Sequence, residues 1–129
     1  MKALKEEIIC NFTGRNKWQR KIDEIKSHYA ESLSKAKSLE ELRSSLEDSF
    51  KAMERIKDEF AAELIKSLKV KLPTMDIKSV EEAAKKPLRG AFFPEKSLKA
   101  MKIECYKQFY DVTRDLQWHL KDMVRAISD

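Results

Sequence analysis

Glycine and proline are scarce here, two and three respectively in 129 residues. That supply is too small for a fold rich in sheet and turns, and it points to helices. Cysteine is nearly missing as well. Cys10 and Cys105 stand far apart and in no Cys-x-x-Cys pair, each among apolar residues at helical spacing. Both read as buried, reduced thiols, and a cytosolic setting argues against a bridge between them. No apolar run approaches the roughly 20 residues that span a bilayer. The opening MKALKEEIICNF puts acidic residues ahead of a very short apolar run, unlike a secretory signal. The chain reads as soluble and cytoplasmic.

The motifs of catalysis and metal binding are missing too. There is no Gly-rich phosphate loop, no nucleophile elbow and no His-Glu-x-x-His. Neither His28 nor His119 follows a glutamate by three residues, the pattern of di-iron bundles. Glu104, Asp111, Asp115, His119 and Asp122 share one side of a helical segment, and a solvated flank explains that row without a ligand. No cofactor and no metal are expected, and the chain reads as a non-enzyme.

What is present is charge and periodicity. Charged residues make up 38% of the chain and hydrophobic ones 42%, a balance that suits long helices with charged outer faces. Leu39, Leu42, Leu46, Phe50, Met53, Ile56, Phe60, Leu64 and Leu68 recur at gaps of three or four, one stripe of a long helix ending before Pro73. Ser38 and Glu41 form its capping box. A second stripe runs through Leu98, Met101, Cys105, Phe109, Val112, Leu116, Leu120, Met123 and Ile127, and a third through Trp18, Ile22, Ile25, Tyr29 and Leu33 behind a cap at Asn16. A short helix over about residues 2 to 12 ends at Thr13-Gly14.

The two longest helices, over 39–70 and 95–127, each measure about 48 Å at about 1.5 Å per residue. The helix over 17–36 matches them only if the N-terminal helix extends it. The expected fold is therefore all-α, a single domain over 1–129. It is an antiparallel bundle of three long helices, the first broken near Gly14, with a short crossover helix capped by Ser79 and Glu82 and stopped by Pro87. The path of the 71–94 crossover stays open. KSLEE at 37–41 returns as KSVEE at 78–82, but this is a repeated cap and no repeat architecture.

Within KKPLRGAFFPEKS (85–97), Pro94 suits the first position of the last helix. Phe92 and Phe93 just before it would plug the bundle's end, the rival reading being an exposed anchor for a partner.

Charge is uneven along the chain. Residues 66–102 carry ten basic and four acidic side chains, while 31–54 carry four basic and six acidic. An antiparallel turn near residue 37 would bring Arg15, Lys17, Arg20 and Lys21 beside Lys66, Lys69 and Lys71, with Lys85, Lys86 and Arg89 from the crossover. Such a basic end would attract an anion, nucleic acid backbone among them.

The last helix has a second apolar face. At 100° per residue from Leu116, Ile103, Tyr106, Tyr110 and Val124 fall between about 80° and 140°, and Trp118 near 200°. Either the N-terminal helix covers that face, or Tyr106, Tyr110 and Trp118, with Arg114 and Arg125, form a partner or dimer interface. For Trp118 the interface is favoured, because a ring opposite the core stripe has little in its own bundle to pack against. The function expected is a small interaction module binding a macromolecular partner through helical surfaces. The alternative is a nucleic-acid-binding accessory protein that uses the basic end for sequence-independent phosphate contacts.

Overall fold

The computed structural model describes residues 2–14, 16–88 and 97–128. Five α-helices account for nearly all of them: α1 Lys2–Thr13, α2 Asn16–Lys35, α3 Leu39–Lys71, α4 Lys78–Lys85 and α5 Leu98–Ser128. No strand occurs among the described residues.

The start of α3 follows its capping box. Ser38 Oγ accepts the Glu41 N–H at 3.2 Å, and the Glu41 carboxylate returns to the chain one residue earlier than expected, accepting from the Lys37 N–H at 2.6 Å. Two other helix starts move. The α4 helix begins at Lys78, whose N–H donates to Asp76 Oδ1 at 3.0 Å. An aspartate two residues upstream captures the first free amide, which leaves Ser79 inside the helix instead of capping it. The start of α5 at Leu98 is held by Ser97, whose Oγ accepts the Ala100 N–H at 3.3 Å. The expectations for Arg89, Phe92, Phe93 and Pro94 lie outside the described residues.

The three stripes supply most of one hydrophobic cluster drawn from all five helices. Leu42, Met53, Leu64 and Leu68 of α3 are fully buried, as are Met101, Cys105, Leu116 and Met123 of α5. Each such side chain contributes roughly 1.5–3 kcal/mol by leaving water. Removing Leu116 to the β-carbon would cost about 2–5 kcal/mol. Cys10 departs from expectation and is exposed. On so short a helix Ile8 faces the core, and Cys10, about 200° around from it, faces out.

Specific contacts fix the helix directions. Lys17 pairs with Glu63 and Lys21 with Glu59, so α2 runs opposite to α3. Glu7 pairs with Lys71, and Phe12 meets Phe60 edge-on at 5.1 Å, so α1 also opposes α3. In contrast, Thr113 lies against Met53 and Leu120 against the hollow that Phe60 lines. Hence α5 runs in the same direction as α3.

Two parallel neighbours need a return crossing, and α4 travels on it, packed against both α5 and α3. Three consecutive residues pin its far end. Lys57, only 3% exposed, donates to the Lys86 carbonyl at 2.6 Å and sits 3.2 Å from Glu54 Oε2. The Leu88 N–H donates to Glu54 Oε1 at 3.0 Å. His119 of α5 places Nε2 3.1 Å from the Pro87 carbonyl, an acceptor that requires this nitrogen to carry the hydrogen. His119 is therefore buried, and it leaves the solvated row in which the sequence placed it. The crossover chain carries free backbone groups between two long helices, and these three polar side chains satisfy them.

Candidate interaction surface

The second apolar face of α5 is divided by what reaches it. Towards the C-terminus α1 and α2 approach, and Val124 is buried beside Phe12 and Trp18. Because α1 has only 12 residues, about 18 Å of helix, it cannot cover the remainder. Ile103, Tyr106, Tyr110 and Trp118 stay in solvent at 66%, 48%, 62% and 53% exposure. Four large apolar side chains in a row along one helix form an unusual feature for a surface otherwise full of charge.

Cations lie along the same row. Arg114 sits over the Tyr110 ring at 5.4 Å and Arg125 over the Trp118 ring at 4.9 Å, within cation–π range. Each also reaches a carboxylate of its own helix at the long end of ion-pair range, Arg114 to Asp111 at 3.7 Å and Arg125 to Asp122 at 3.9 Å, with both guanidinium groups mostly in water. All five residues named for a partner surface are thus exposed and placed along one helix.

The basic end is built differently. Lys17 and Lys21 reach across to α3 carboxylates at 2.8 Å each, and Lys71 to Glu7 at 3.4 Å. Lys21 beside Glu59 holds that carboxyl below its usual range. Arg20, Lys66 and Lys69 make no ion pair with another described residue and are exposed. Lys85 and Lys86 close α4, and the Lys57 contact sets them roughly two and a half to four turns of α3 away from Lys66, Lys69 and Lys71. The structure therefore gathers the α2 and α3 cations but separates the α4 pair from them, while Arg15 and Arg89 lie outside the described residues. Trp18 is buried at 4% exposure, packed edge-on against Phe60 at 5.2 Å with Lys17 and Lys21 over its ring. Its indole is a core group and offers no face for a base.

An open hollow of about 290 Å³ lies where α1, α2, α3 and α5 meet, walled by Phe12, Trp18, Phe60 and Val124 and rimmed by Gln117 and Lys121. Of the acidic row on α5, Asp115 lies 3.6 Å from His119. Among the described residues no group of three His, Cys, Asp or Glu side chains is placed to hold a metal ion. No described helix is long and apolar enough to cross a membrane. The roles of Lys57 and His119 could not be read from the sequence, because the carbonyls they satisfy belong to a crossover whose path was open. Comparison with protein-family models, curated proteins and solved structures finds no match to this chain.

Proposed function

We propose that this chain is a small non-enzymatic interaction module, an adaptor, regulator or subunit of a larger cytoplasmic complex, which binds a protein partner through the outward face of α5. The observation that carries this reading is the exposure of Ile103, Tyr106, Tyr110 and Trp118 along one helix. Tyrosine, tryptophan and arginine concentrate at the centres of protein interfaces, where a large ring gives contact area at little conformational cost. The scaffold in this reading is a bundle of three long rods, α1 and α2 together forming the first. It holds α5 rigid, so that little ordering entropy is lost on binding.

The test is copurification from the native cell at low and moderate salt, comparing the parent with Trp118→Ala and Tyr110→Ala. A protein retained by the parent at moderate salt and lost from both variants is the expected result. Nucleic acid that is shed as salt rises, with no protein dependent on Trp118, would discard this reading and return attention to Arg20, Lys66 and Lys69.

A further inference from the structure

The exposed face of α5 has a one-sided charge. Lys99, Lys107, Arg114, Lys121 and Arg125 are all exposed and fall with the apolar row in the sector from about 80° to 200° around the helix. None of the helix's carboxylates falls there. Glu104, Asp111, Asp115 and Asp122 stand on the flank beyond, each only half-exposed. The row from Ile103 to Arg125 is about 33 Å long, a ridge of rings and cations in alternation.

Resting on the interface reading above, we infer that the occupant of this ridge is an acidic amphipathic helix of a partner protein, its carboxylates meeting Arg114, Lys121 and Arg125 and its apolar stripe covering Ile103, Tyr110 and Trp118. Three other occupants fit less well. A second copy presenting the same ridge would set these cations against their own kind. Stacked bases need open ring faces, and the guanidinium groups of Arg114 and Arg125 already lie over Tyr110 and Trp118. An anionic bilayer takes a helix whose cations border the apolar stripe, whereas Arg114 and Lys121 stand within it, where insertion would carry them into hydrocarbon. A carboxylate can bind the outer edge of each guanidinium while the ring beneath stays packed, a charge-assisted contact that suits this arrangement. The partner's apolar side chains also have the hollow beside Gln117 and Lys121 to enter.

The experiment replaces Tyr110 in the full chain with a photo-crosslinking phenylalanine analogue, irradiates it in lysate of the source cell at moderate salt, and sequences the crosslinked segment. The expected product is a protein segment of net negative charge with apolar residues at helical spacing. Its yield should fall at least tenfold with Arg114→Glu plus Arg125→Glu, and should be largely kept with Lys66→Glu plus Lys69→Glu. A neutral or basic protein segment, or an acidic one indifferent to Arg114 and Arg125, overturns the acidic helix while leaving the interface reading intact. Crosslinks only to nucleic acid, lipid or a second copy, or no crosslink at all, overturn both. Circular dichroism of each variant shows that loss of yield does not reflect loss of fold.

Discussion

The two tryptophans of this chain lie in opposite environments, although each is bordered by cations. Around Trp18 the cations Lys17 and Lys21 complete ion pairs to the neighbouring helix, at 2.8 Å. Around Trp118 the guanidinium of Arg125 leans on the ring, and the nearest carboxylate among the described residues, that of Asp122 on the same helix, is 3.9 Å away. The first arrangement spends its charges in joining α2 to α3. The second leaves its charges and its ring to solvent. Basic residues near an aromatic therefore mean different things according to whether another helix passes within reach.

The largest expected effect separates these sites by stability. Trp18→Ala removes a buried ring that packs on Phe60 and should lower unfolding free energy by about 3–5 kcal/mol. Trp118→Ala should change it by less than about 1 kcal/mol while abolishing the proposed partner binding. Urea denaturation of both variants measures this. Equal losses would show that Trp118 is a packing residue and would remove the ground for the interface.

Next in size is the crossover anchor. Lys57→Ala leaves the Lys86 carbonyl and the Glu54 carboxylate without their cation, at an expected cost of about 1–3 kcal/mol in urea denaturation. An unchanged midpoint would mean that water replaces the amine and that the crossover needs no anchor there.

The buried and exposed tyrosines offer a third contrast. Tyr29 is buried, stacked on Phe109 with centroids 4.2 Å apart, and among the described residues its hydroxyl has only the weak Cys105 thiol beside it as a polar neighbour. Burial keeps its phenol protonated well above the ordinary range, and burial likewise pushes up the Cys105 thiol. Both groups hold their protons more tightly folded than unfolded. The stability they contribute is whole below their unfolded values, about 8.5 for a thiol and about 10 for a phenol, and is lost as pH rises beyond them. Denaturant midpoints should fall above about pH 10 in the parent and less steeply in Tyr29→Phe, which at neutral pH should be about as stable because only a weak contact to the Cys105 thiol is lost. An identical alkaline slope in parent and variant would contradict this account of Tyr29.

The smallest effect belongs to the paired lysines. Lys17→Met should cost about 0.2–1 kcal/mol, because both members of that pair are half in water. The difference from the parent should shrink in molar salt. A difference that persists in high salt would indicate that the methylene stem of Lys17, not its charge, supports Trp18.

Much of the fold was legible because helix periodicity is local. The stripes through Leu64, Leu116 and Ile22 mark which side of each helix faces inward, and Ser38 with Glu41 marks where α3 begins. Local chemistry misled where a nearer group competed, as Asp76 did with Ser79. Cys10 shared the apolar company of Ile8 and Ile9 in sequence, yet a rotation of about 200° from Ile8 carried it to the surface.

The sequence by itself determined the helical class, the long amphipathic rods and the existence of a second apolar face on α5, since each follows from residue type and spacing along one segment. Which way α5 runs beside α3, which lysines find carboxylates across a helix boundary, why Lys57 and His119 are buried, and how much of the second face α1 leaves uncovered were decided only in the tertiary structure. Each of these depends on distances between segments that the spacing of residues within any one helix does not contain.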